Sequence, residues 1–245
     1  MEEKRTKISE TVEKIVRSRT CGCKDLYVAL VLQNTATQYV TGTPRKLSRM
    51  VKAKIDEKWS SEKIYSDDET EEVITAYEGT DVELEVNALA PQDRAFVFGQ
   101  RYENGYLVKT SNDMAPEVAI GWRERKLNGK YEFKWLFVGK FAEGISDEAN
   151  TKEGKLSPTT KSIKGSFYER SLDNQYEISV DESNLIDEYT DAKTALANWF
   201  SAVQEYPDSV ENAGGSTEDG TGDGTEGSTG DGTEGSTGDG TTRQQ

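Results

Sequence analysis

The sequence predicts a mainly β (α+β) chain: an antiparallel β-sandwich with a helix packed on it, followed by a disordered C-terminal tail. Three observations carry this. Apolar residues alternate with polar ones in several short runs, an Asn-Gly turn joins two of them, and one apolar stripe at helical spacing stands near the end of the body. The division into 1–23 (an N-terminal arm), 24–207 (the β domain) and 208–245 (a low-complexity tail) follows from where these patterns begin and stop.

Ile8, Val12, Ile15 and Val16 sit at spacings of four, three and one, which fits a short amphipathic helix or an arm awaiting a partner. Leu26, Val28, Leu30 and Leu32 alternate with Tyr27, Ala29 and Val31, so this strand is apolar on both faces and is expected to be covered on both. Residues 41–58 read as a turn and a polar, Lys-rich connection. Residues 60–72 form a polar, acidic stretch around Ile64 and Tyr65, either a long loop or a hairpin.

The clearest alternation is Asp81-Val-Glu83-Leu-Glu85-Val-Asn87. It predicts a half-buried strand with Asp81, Glu83 and Glu85 in line on its exposed side. Residues 91–98 form a short helix, with Pro91 in its first turn and Gly99 at its C-cap. Asn128-Gly129 joins runs 118–125 and 130–141 as a hairpin whose return strand puts Tyr131, Phe133, Trp135 and Phe137 on one face. A second hairpin is expected between 163–169 and 175–181, turning at Leu172-Asp-Asn174. Asp191 to Tyr206 reads as a helix capped by Thr190, with Leu196, Trp199, Phe200 and Val203 on one stripe and Pro207 ending it.

The net charge is −15, from 45 Asp+Glu against 30 Lys+Arg. After Asp208 the chain repeats Gly-Asp-Gly-Thr-Glu-Gly-Ser-Thr with a period of 8 residues, the composition of a flexible, self-repelling linker. It lacks the apolar positions that would pack a calcium site. The acidic balance argues against a protein that grips nucleic-acid phosphates. A surface that must pass DNA without holding it is, by contrast, expected to be acidic.

The chain has no histidine, which excludes Ser-His-Asp and Cys-His nucleophile systems and any His-ligated metal. Its two cysteines, Cys21 and Cys23, are too close for an unstrained disulfide in most backbones. They read as reduced thiols in a reducing cytoplasm, with a redox-active pair as the alternative. No apolar run is long enough to span a membrane, and the start of the chain does not read as a signal peptide. Glu83 and Glu85 would serve as an acid/base pair only against the simpler reading of a solvated strand face. Trp122 and Trp135 would form a sugar-stacking platform, or else core aromatics. No glycine-rich loop opens a helix after a strand, so no phosphate cradle is argued. No catalytic site, metal or cofactor is therefore expected.

One stretch is more specific. Val118-Ala-Ile-Gly-Trp-Arg-Glu-Arg-Lys-Leu-Asn-Gly-Lys-Tyr-Glu-Phe-Lys-Trp-Leu-Phe-Val-Gly-Lys-Phe141 resembles the hairpin of the major tail proteins, or tail tube proteins, of long non-contractile-tailed phages of Gram-positive hosts. Asn150-Thr-Lys-Glu-Gly154, Ile163-Lys-Gly-Ser-Phe-Tyr168, the strand and helix from Leu84 to Gly99, and Tyr65-Ser-Asp-Asp68 follow that family's order. The likeness covers about residues 24–183. The arm before Cys21 and the tail after Pro207 depart from it.

The resemblance implies a virion tail component, assembled in the host bacterial cytoplasm as hexameric rings that stack into a tube. Its partners would be further copies of itself, a tape-measure protein, and tail terminator and distal tail proteins. DNA would pass through the tube without specific binding, and no membrane is involved. Asp81, Glu83 and Glu85 would line the lumen, and the segment with Tyr65, Asp67 and Asp68 would reach an adjacent subunit. The alternatives are a tube protein of a contractile or phage-derived bactericidal particle, and a carbohydrate-binding sandwich using Trp122 and Trp135.

Overall fold

The computed structural model describes residues 15–66, 69–147 and 159–207, with side chains omitted at 65, 66 and 69–71. The expected N-terminal helix up to residue 14, Asp67, Asp68, the connection at 150–154 and the tail lie outside the described residues.

Twelve strands follow in chain order: β1 (Thr20–Asn34), β2 (Tyr39–Thr41), β3 (Arg45–Ser48), β4 (Met50–Ser66), β5 (Glu69–Val86), β6 (Arg101–Glu103), β7 (Tyr106–Val108), β8 (Val118–Lys126), β9 (Tyr131–Lys140), β10 (Ile145–Asp147), β11 (Lys161–Tyr168) and β12 (Glu177–Asp181). Helix α1 spans Pro91–Phe98, α2 spans Thr190–Ala197, and a 3-10 turn covers Glu182–Asn184. The domain's first strand thus starts at Thr20, inside the stretch expected to be an arm.

The chain is mainly β and its ladders are antiparallel. The main sheet runs β2-β1-β8-β9-β11-β5-β4. It closes on itself because β3 and β4 are one bent run, interrupted only at Arg49. The first part pairs with β1 and the second with β5. Residues 41–58, expected as a polar connection, therefore form the strands that complete the circuit. Closure leaves few bare strand edges in the body.

Two facing halves of this curved sheet enclose a core. Leu26 and Val28 of β1, Ile120 and Trp122 of β8 and Leu136 of β9 meet Val82, Leu84 and Val86 of β5 and Ile163 and Phe167 of β11. Val97 and Phe98 of α1 cover one side, and Gly99 ends that helix in the left-handed region at φ 68°. This is the sandwich that the alternating patterns predict.

A second core lies on the other face of β1, β8 and β9. Ala29, Ala119, Phe133, Trp135 and Phe137 pack beneath Trp199 and Val203. The two-faced apolar strand thus buries Leu26 and Val28 on one face and Ala29 on the other, with Tyr27 half-buried, although Leu32 is exposed. Burying one large apolar side chain contributes about 1.5–3 kcal/mol, so aromatic layers on both faces dominate the stability of this region.

Close approach within the sheet needs glycine at several points, two of them facing aromatic rings. A Cβ at Gly121 would stand 2.6 Å from the Trp135 ring, and one at Gly139 2.2 Å from Phe167. The Asn128-Gly129 turn forms as predicted, with Gly129 at φ 85° and Lys126 N–H donating to the Lys130 carbonyl at 2.9 Å.

Two further sequence expectations are corrected. β11 and β12 do not pair with each other as a hairpin; both pair with β9, through Tyr168↔Val138 and Glu177↔Leu136. The long β9 edge holds them end to end, and the link between them wraps around Arg170. That guanidinium is fully buried. It donates to Asp173 and Glu205 at 2.7 Å and lies over the Phe137 ring at 4.4 Å. The second correction is to the C-terminal helix. It ends at Ala197, because Asn198 leaves the helical region at φ −121° and the next residues turn to insert Trp199 beneath β9. Its N-cap is Tyr189, with no side-chain capping bond, so Thr190 does not cap it.

Candidate assembly surface

Asp81, Glu83 and Glu85 stand in line on the outer side of β5, opposite the buried Val82, Leu84 and Val86. Period-2 alternation made this much visible in the sequence. The neighbouring strands change its electrostatics. On β4, Lys52 faces Glu85, Lys54 faces Glu83 and Asp56 faces Asp81. On β11, Ser162, Lys164 and Ser166 face the same three acids in turn.

Lys58 Nζ lies 2.6 Å from Asp81, and Lys164 Nζ lies 3.8 Å from Glu83. The hydrogen bond from Lys58 holds the Asp81 carboxyl below its ordinary value, despite a small opposing effect of burial. Ser162 and Ser166 hydroxyls donate to Glu83 and Asp81 at 3.1 and 3.3 Å. Four lysines (52, 54, 58 and 164) thus match four carboxylates (Asp56, Asp81, Glu83 and Glu85) on one face. The row is a charge-compensated ladder, where the sequence alone led to expect a net acidic strip. Lys52 and Lys54 alternate with Val51, Ala53 and Ile55, yet the stretch reads in sequence as a polar connection. Small and polar residues weaken the alternation.

The second feature is the outer part of β4 and β5. The two strands remain paired far beyond the body, from Trp59↔Tyr77 to Ser66↔Glu69. The stretch at 60–72 is therefore a hairpin, and Tyr65 sits near its tip, opposite Thr70. A register shift at Lys58–Trp59 stands beside Gly79, whose φ is 136°. Such bulges bend and twist a ribbon, and here the bulge marks where the arm leaves the body.

At the arm's root, Tyr77 stacks on Tyr176 at 4.2 Å and meets Trp59 edge-on at 5.3 Å. Beyond the root, Ile64, Val73 and Ile74 are exposed, and Trp59 itself is 53% exposed. Val73 lies opposite Lys63, while Ile74 and Ile64 lie opposite Glu62 and Glu72. Each face of the ribbon thus carries apolar residues, and nothing among the described residues covers either face.

Trp122 and Trp135 are both fully buried, in the two different cores on opposite faces of the sheet. They form no platform, which removes the sugar-stacking reading. Cys21 and Cys23 are free thiols on β1. Burial first, then the nearby Glu124, push the Cys23 thiol up and disfavour its reactive thiolate.

A scan of protein-family models finds no match to this chain, and a search of curated proteins finds no relative.

Proposed function

We propose that this protein is a structural subunit of a phage tail tube. Copies polymerise as stacked rings of six around a tape-measure protein and form a conduit for DNA ejection. The observation that supports this best is the β4–β5 arm. A two-stranded ribbon is marginal by itself in water and needs further packing to be stable. This one has uncovered apolar residues on each face. A second copy offers what the arm lacks, and a repeated head-to-tail contact of this kind builds rings or filaments.

In this reading the ladder of Asp81, Glu83 and Glu85 faces the lumen. Its compensating lysines leave that lining near neutral, so passing DNA meets neither a strong attraction nor a strong repulsion. The body supplies rigidity and the arm supplies the connection. The role is structural, and no step of it requires catalysis.

The test replaces residues 61–75 with an Asn-Gly turn, joining Ser60 to Ala76. The expected outcome is a folded monomer with an unchanged melting temperature that forms no rings or tubes in electron micrographs. Tubes as abundant as those of the full chain would refute the role given to the arm.

A further inference from the structure

A mostly apolar groove of about 390 Å³ runs between β12 and α2. Ile178 and Val180 form one wall, Ala192 and Ala195 the other, and Trp199 also lines it. Two features of this groove are unfinished. Trp199 is only 1% exposed, yet its indole N–H has no acceptor among the described residues. An unmade buried hydrogen bond is costly enough that such donors are normally satisfied. In addition, β12 pairs with β9 along one edge and has no strand partner on the other among the described residues.

The course of the chain points to an occupant. Val16 is clasped by Asn184: its N–H donates to Asn184 Oδ1 at 2.9 Å, and Asn184 Nδ2 donates to its carbonyl at 3.3 Å. Asn184 ends the 3-10 turn that directly follows β12. The segment before Ile15 therefore departs beside the end of the strand that walls the groove. That segment carries Ile8 and Val12, in helical step with the exposed Ile15.

In that segment Lys4, Arg5 and Lys7 outnumber Glu10 and Glu13, and this net charge of +1 complements Glu188 and Asp191 of the groove lining, neither of which has an ion-pair partner among the described residues. Residues 4–13 reach about 33 Å if extended and about 15 Å as a helix, against about 17 Å for a strand the length of β12. Either form covers the site. The stretch after Pro207 starts at the groove as well, but Asp208 and Glu211 would meet the acids of the lining.

We infer that residues 4–13 of the same chain seat in this groove. Ile8 and Val12 fill the space between β12 and α2, and a carbonyl or hydroxyl of the segment accepts the Trp199 N–H. The interaction goes beyond the tube reading and does not depend on it.

The experiment follows the Trp199 indole N–H by NMR in the full chain, with Trp199→Phe to assign it. An Ile8→Asp/Val12→Asp double variant should move that resonance and speed its exchange with solvent at least tenfold. A peptide of residues 1–14, added to the double variant, should restore both. An unchanged resonance and exchange rate in the double variant would overturn the inference. So would a response to deletion of 208–245 instead, which gives the groove to the C-terminal segment. Loss of the wild-type signal on dilution would also overturn it, since the arm would then come from a second copy.

Discussion

The β8–β9 hairpin and the outer β4–β5 arm are both antiparallel ribbons, yet they solve opposite problems. In the first, Ile120, Trp122 and Leu136 enter one core while Phe133, Trp135 and Phe137 enter the other. In the second, Trp59, Ile64, Val73 and Ile74 meet solvent. Hydrogen-bonded pairing is common to both, so pairing does not distinguish them. The difference is what lies above and below the ribbon, because burial of apolar area is the main favourable contribution to folding. One hairpin stabilises the subunit, and the other is left to stabilise a contact between subunits.

The largest expected effect lies in the buried hairpin. Trp135→Ala removes a ring that fills the space beside Gly121 and donates from Nε1 to the Trp199 carbonyl at 3.0 Å. It should cost about 3–5 kcal/mol, measured by urea unfolding, and loosen the segment after α2. Arg170→Ala comes next. It withdraws a buried cation from Asp173 and Glu205, each still about a quarter exposed. The expected loss is about 3 kcal/mol, at the low end for breaking a buried pair because water reaches the carboxylates. Arg170→Lys should not restore it, since an ammonium cannot reproduce the fork geometry.

A smaller effect, of opposite sign, is expected beside the root of the arm. Burial, and then Glu57, Glu132 and Glu124, push the Glu177 carboxyl above its ordinary value, while Lys134 opposes them. A carboxyl raised in the folded state destabilises the fold when ionised. That cost is absent below the unfolded value of about 4.5, grows as pH rises through it, and is complete above the folded value. Glu177→Gln should therefore melt higher than the wild type at pH 7, and the gap should close as the pH falls towards 4.

The smallest effect on folding belongs to the arm. Val73→Ser with Ile74→Ser should change subunit stability by less than about 0.5 kcal/mol, as exposed positions generally do. It should raise the concentration at which sedimentation detects assembly. A large loss of subunit stability would mean that the arm belongs to the body's core, and the comparison would fail.

Local chemistry explains which parts were legible in the sequence. Asn128-Gly129 demands a particular turn, Pro91 and Gly99 bracket a helix, and Val82, Leu84 and Val86 alternate without interruption. The closure through β3 and β4 was not legible, because Ala53 and Ile55 are the inward residues and lysines dominate the count. The stripe of Leu196, Trp199, Phe200 and Val203 fits a helix, but a turn after Ala197 delivers the same aromatics to β9. The pairing of β11 and β12 depends on the length of the β9 edge and on Arg170, neither of which leaves a local pattern. For the candidate surface, the three acids were legible, whereas the lysines that neutralise them belong to strands brought alongside by topology.

Negative-stain electron microscopy of the concentrated, purified protein tests the central claim most directly. The account predicts rings or hollow tubes of one uniform diameter. A full chain that stays monomeric at high concentration, with its arm intact, would contradict it.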